Sequence, residues 1–168
     1  YHTQVQTPDP GVDRGYLANA EKVRVNGFEV DGNLNIGYFL KLNAALAYTD
    51  AKYVKFTNAP VPLEEVGGAQ AFKDVSGGRL PGVSKWAGSL GAETNKAGKL
   101  IGINGQYFLG ADVFYRSEFS SSASPSAYLN IDAYAVVNAR LGFKASNGIA
   151  LFVWSRNLGN KNYYEQLL

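Results

Sequence analysis

What most constrains this chain is a two-residue alternation of apolar and polar side chains that persists well past ten residues at a time. In "LNIDAYAVVNARLGFKA", Leu129, Ile131, Ala133, Ala135, Val137, Ala139, Leu141 and Phe143 share one side. The other side carries Asn130, Asp132, Tyr134, Val136, Asn138, Arg140, Gly142 and Lys144. Successive side chains of a strand point to opposite faces, so the segment has one apolar and one mostly polar face. "LIGINGQYFLGADVFYRS" repeats the pattern, with Ile101, Ile103, Tyr107, Leu109, Ala111, Val113 and Tyr115 opposing Asn104, Gln106, Phe108, Asp112, Phe114 and Arg116. "LKLNAALAYTDAKY" does so again, with Leu40, Leu42, Ala44, Leu46 and Tyr48 on one side. Strands of soluble proteins average about five or six residues, so strands of this length point elsewhere.

The connections alternate in kind. "SNG" at 146–148, "NKAGK" at 95–99 and the join near Asn35 are short turn-formers. "TPDPGVDRGYLAN" at 7–19, the long segment 57–82 and "SSSASPSA" at 120–127 are long or loose and polar. About seven strands are expected, near 1–7, 21–34, 40–56, 83–94, 99–119, 128–145 and 149–158, in an antiparallel meander with its short turns on one side. Long strands, short turns on one side and long loops on the other describe part of a transmembrane β-barrel. The column from Leu129 to Phe143 then faces lipid together with Ile101, Ile103, Leu109 and Val113. Tyr48, Trp86 and Tyr115 fall where an aromatic girdle belongs, and an arginine at Ala135 is expected to cost ~2–4 kcal/mol if that position lies near the bilayer midplane. A soluble carbohydrate-binding β-sandwich also alternates, and a passive or autotransporter-type barrel shares the membrane pattern; both stay open on pattern alone.

Composition narrows the chemistry. The chain has no cysteine and a single histidine, His2, which excludes thiol catalysis, cysteine metal sites and any histidine cluster or triad. Net charge is +2 and dispersed, without the basic stripe of a nucleic-acid binder. The longest uninterrupted apolar run, Ile149 to Trp154, is far below the roughly 20 residues a membrane helix needs. Neither an enzyme nor a cofactor is expected. Glu64, Glu65 and Asp74 share a loop but make no compact calcium motif.

Four further stretches carry a resemblance: Gly27–Phe28–Glu29; Tyr48–Thr49–Asp50–Ala51 with Tyr53; Leu80–Pro81 with Trp86; and Val153, Asn157, Leu158, Lys161 and Tyr163. In this order they resemble the C-terminal part of the barrel of TonB-dependent outer-membrane receptors. Ser84 stands where that family usually has proline. The resemblance implies a fragment, residues 1–168, of a 22-stranded barrel, without the plug domain, the TonB box or the family's last strand. It implies the bacterial outer membrane as location and energised uptake of an iron-siderophore, cobalamin or carbohydrate nutrient. The implied partners are outer-membrane lipid, the rest of the barrel and its plug, TonB through that plug, and the small-molecule ligand.

Candidate solute contacts on the inward face are Gln106, Asp112, Arg116, Asp132, Asn138 and Arg140, which equally suit a hydrated wall whose opposite charges pair across strands. The loop "VPLEEVGGAQAFKDVSGGR" is a better place for first contact with ligand, because loops held by a rigid scaffold carry recognition.

Overall fold

The computed structural model of the chain describes residues 3–8, 15–123 and 125–167. The strands are β1 (Thr3–Pro8), β2 (Gly15–Ala20), β3 (Lys22–Ile36), β4 (Leu40–Lys55), β5 (Ala59–Pro60) and β6 (Phe72–Lys73). They continue with β7 (Trp86–Leu100), β8 (Ile103–Arg116), β9 (Phe119–Ser120), β10 (Asn130–Ile131), β11 (Tyr134–Ala145) and β12 (Ala150–Ser155). Six of them form one antiparallel meander in the order β3-β4-β7-β8-β11-β12, as the alternation of turn and loop requires. The short pairs β1-β2, β5-β6 and β9-β10 stand apart from it. Among the described residues, the outer edges of β3 and β12 have no ladder partner, so the sheet is open.

Register carries the alternation from strand to strand. Phe28 lies opposite Tyr48 and Tyr48 opposite Trp86; Leu90 pairs with Val113, Val113 with Val137, and Leu141 with Leu109 and Val153. One unbroken apolar face results, with Phe28, Val30, Leu34, Leu46, Leu90, Leu109, Leu141 and Val153 all exposed on it. Aromatic rings bound it at both ends. Phe28, Tyr48 and Trp86 pack together, with centroids 5.7 Å, 6.0 Å and 4.8 Å apart, at the long-loop end. Tyr107 and Phe143 pack at 4.8 Å near the short turns. Tyr115 and Tyr107, eight positions apart on β8, span ~27 Å along the strand and ~20 Å once tilted, close to the ~25 Å apolar band of an outer-membrane barrel.

Four expectations change. The turn expected at 95–99 lies instead at Ile101 and Gly102, whose φ values are +51° and +79°. Asn95 to Lys99 continue the ladder against Phe108 to Asn104, because a two-residue connection with both φ positive matches strand twist and lets β7 run to Leu100. Ile101 is therefore a turn tip and not a member of the lipid column. Leu129 and Ile131 also leave that column: Leu129 ends a 3-10 turn at Ala127–Leu129, and Ile131 is buried against Phe119 and Tyr134. The backbone departs from the sheet before Tyr134 although the alternation in the sequence runs on. Finally, part of the loop expected at 7–19 is β2, which pairs with β1 in a hairpin outside the main sheet. His2 lies outside the described residues.

The core is small and sits at the long-loop end. Ala20, Val23, Ala51, Tyr53, Phe56, Ala59, Val75 and Leu80 form a buried cluster where the β4–β7 loop folds back on the wall. The amide of Leu80 donates to Ala51 O and that of Tyr53 to Gly78 O, so this loop extends the ladder of β4 above Tyr48. These buried residues lie on the face opposite the aromatic row.

Candidate solute-facing wall and outer loops

The face opposite the aromatic row is concave and polar. A hollow of about 840 Å³ is lined by Asn35 on β3, Lys41 on β4, Glu93 on β7, Gln106 on β8, Arg140 on β11 and Phe152 on β12. One cavity touching all six strands requires that face to curve inward. Gln106 borders this hollow opposite Lys144.

Side chains here lie flat across the strands, and glycine makes room for them. Arg140 Nη2 donates to Glu93 Oε2 at 2.5 Å although β8 separates their strands. Between them is Gly110, where a Cβ would stand 2.9 Å from Arg140 Nε. Asn138 Nδ2 donates to Asp112 Oδ2 at 2.6 Å, and Asn138 Oδ1 accepts the Asn157 amide at 3.0 Å. Four of the six expected contacts thus share one wall, and three of them are paired within it.

The remaining two sit near the mouth. Arg116 Nε donates to Ser84 Oγ at 2.7 Å, its Nη2 donates to Gly82 O, and its guanidinium lies 3.7 Å from the Phe119 ring centroid. It clamps the end of the β4–β7 loop onto β8, and the serine found in place of proline supplies the acceptor. Asp132 lies between β10 and β11, not within a strand, and is exposed. It borders a second hollow of about 380 Å³ between the two long loops, with Tyr53, Arg79, Glu118, Phe119 and Ile131. The Tyr53 hydroxyl is buried and has no hydrogen-bond partner among the described residues.

The two long loops are tied to each other. Glu64 Oε2 accepts from the buried Ser126 hydroxyl at 2.7 Å and Oε1 from the Ala127 amide at 3.2 Å. These bonds, the Ser126 one foremost, hold the Glu64 carboxyl below its usual value. Gly82 N donates to Ser120 O at 2.7 Å, and Arg79 pairs with Glu118 at 3.2 Å. Neither Glu64 nor Ser126 was identified as part of a connected pair by sequence; nothing in the spacing of residues 62 apart announces a contact. Among the described residues no group of acidic or histidine side chains is placed to hold a metal ion.

The four motifs have structural work. Gly27 sits where a Cβ would meet Tyr48 O at 2.3 Å, and Phe28 and Tyr48 belong to the aromatic row. Leu80 seals the loop on the wall, and Trp86 completes the row. Asn157 closes the segment after β12 by accepting from Lys161 N at 2.8 Å and donating to Lys161 O at 2.9 Å, while Tyr163 stacks on Tyr134 at 4.5 Å.

The comparisons with known proteins agree. The model of the "TonB dependent receptor-like, beta-barrel" family matches residues 1–158. The chain is 29% identical over 163 residues to the metal-pseudopaline receptor CntO of Pseudomonas aeruginosa, in two strains, covering 96% of this chain and 20% of the receptor. The chain therefore spans about a fifth of the length of the curated relatives it matches. No solved structure matches it. An open meander of long strands, apolar outside and polar inside, with that family match, makes this chain a member of the TonB-dependent receptor β-barrel family, a family of outer-membrane receptors.

Proposed function

We propose that residues 1–168 form part of the wall of a larger barrel in the outer membrane of a Gram-negative bacterium, and that this barrel takes up a small-molecule nutrient. The observation that carries the reading is the pairing of one continuous apolar face with a polar hollow lined by all six strands. Lipid contacts the first and solute passes along the second. Uptake would be driven by TonB acting through a plug, both outside the residues described. Among iron-siderophore, cobalamin and carbohydrate cargoes, similarity to a metal-pseudopaline receptor favours a metal-bearing one.

Gln106, Asp112, Asn138 and Arg140 would line the solute path as a hydrated, internally paired wall, with Asp132 and the 61–79 loop nearer the mouth, where cargo first arrives. The role is binding and transport, without covalent chemistry. Deleting the gene that carries this chain should abolish uptake of a radiolabelled metal chelate under metal limitation, and de-energising the inner membrane should mimic the deletion. Unchanged uptake of iron-siderophore, cobalamin, carbohydrate and metal-chelate probes in the deletion strain would reject the transport role.

A further inference from the structure

The face that meets lipid does not stay apolar above its aromatic row. Arg24 on β3 lies directly opposite Lys52 on β4, and Lys52 lies opposite Arg79 in an isolated antiparallel bridge. Opposed residues of such pairs share a face. Counting by twos along β4 from Tyr48 puts Lys52 on the aromatic side, and the irregularity in the β3–β4 register lies beyond Arg24, at Lys22 and Val23. Burial gives an independent check: Ala51, Tyr53 and Leu80, the sequence neighbours of Lys52 and Arg79, are buried on the opposite side. Three cations therefore form one row on the outward face.

We propose that Arg24, Lys52 and Arg79 dock the phosphate groups of a phosphorylated membrane lipid in the leaflet on the long-loop side, an inference that rests on the membrane reading above. Height fits. The row is four residues beyond Phe28 and Tyr48, ~13 Å along the strand and ~10 Å above the rings once tilted. Headgroups occupy the ~5–8 Å beyond the hydrocarbon edge, and long basic side chains reach back toward it. Charge fits as well. Like charges directly opposite one another in a sheet destabilise it, and the protein neutralises this row only in part. Asp50 pairs with Lys52 at 3.1 Å and Glu118 with Arg79 at 3.2 Å. Arg24 is exposed and has no ion-pair or hydrogen-bond partner among the described residues. Guanidinium forks match phosphate oxygens in geometry and charge. Continuity with the apolar face is what selects a lipid: acyl chains lie along Val30, Leu46 and Leu90 while the headgroup meets the cations.

The test uses the barrel that carries this chain, purified in mild detergent, with lipid retention read by native mass spectrometry. Bisphosphorylated lipid A, the same lipid stripped of phosphate, and inorganic phosphate are the three probes. Wild type should retain the phosphorylated lipid only. R24Q/K52Q/R79Q should retain it about a hundredfold less, at roughly fivefold per removed cation, while R24K/K52R/R79K should keep it. Should the triple variant fail to fold, R24Q alone, whose side chain has no ion pair to lose, should still show a several-fold loss. Equal retention by wild type and the folded glutamine variants overturns the proposal, as does equal retention of the dephosphorylated lipid. Inorganic phosphate bound as well as the lipid would make this a free-anion site and overturn the lipid assignment. Heat-modifiable gel migration separates the two levels of failure. A folded membrane barrel indifferent to these charges rejects the lipid site alone, whereas a wild-type protein that never enters the membrane fraction rejects the barrel reading beneath it.

Discussion

Arg140 reaches Glu93 across Gly110, joining β11 to β7 over the strand between them, with 2.5 Å between Nη2 and Oε2. The pair is open to water on this face, with side-chain exposures of 59% and 28%, which limits what it contributes to stability. A double-mutant cycle with Arg140→Gln and Glu93→Gln, measured by urea unfolding of the barrel in phosphatidylcholine vesicles, should give a coupling of ~0.2–1 kcal/mol. A coupling above about 3 kcal/mol would mean that the pair is desolvated, and the hydrated-wall reading would fail.

Depth on the lipid face should decide the cost of a charge. Ala111 lies midway between Tyr107 and Tyr115 on β8 and opposite Ala92 and Ala139, whereas Ala135 lies beside Tyr115 at the aromatic level. Ala135 is thus at the aromatic level, and the midplane condition is met at Ala111 instead. Ala111→Arg should cost ~2–4 kcal/mol and Ala135→Arg ~0–1 kcal/mol. Equal costs at the two sites, from unfolding in vesicles, would contradict the assigned depth.

Ile101 is strained. A β-branched residue at φ +51°, 93% exposed, has the penalty of the left-handed region with no packing to offset it. Ile101→Asn ahead of Gly102 would give the preferred pair for such a hairpin turn and should stabilise by about 1 kcal/mol. A destabilised variant would show that the turn is not of this type.

Acid should loosen the outer loops. The Glu64 carboxyl is lowered from its ordinary 4.5 chiefly by the Ser126 hydroxyl, so the docked loops bind fewer protons than the undocked ones just below that value. The contribution to docking is whole above 4.5 and disappears as pH falls through the lowered value. Hydrogen exchange at the Ala127 and Tyr128 amides, corrected for intrinsic rate, should lose protection as pH falls below 4.5. Glu64→Gln should remove that step, and a step that survives the substitution would assign the transition to another group.

Asn138 holds two bonds at once, to Asp112 and to the Asn157 amide. Asn138→Arg should therefore detach the segment after β12 as well as crowd the wall, at about 1–3 kcal/mol. Proteolysis between Asn157 and Lys161 should be faster in the variant, and an unchanged cleavage rate would show that this bond does not hold the segment.

The alternation along Leu40–Tyr48, Leu109–Tyr115 and Ala135–Phe143 was enough by itself to mark strands and the residues that share a face, because side-chain direction in a strand depends only on parity. The aromatic row was equally legible, since Tyr48 and Trp86 occur at the ends of apolar columns. Parity fails where the backbone leaves the sheet. Leu129 and Ile131 continue the pattern in sequence, yet both are buried, Ile131 against Phe119, because the ladder with β8 starts only at Tyr134. The turn at Ile101 was hidden because its residue type opposes its backbone conformation. Other features exist only through register: the crossing of Arg140 over Gly110 to Glu93, the Glu64–Ser126 tie between loops, and the Arg24–Lys52–Arg79 row. Each joins residues from different strands or loops, and local sequence carries no record of which distant residue the hydrogen-bonded ladder will set alongside.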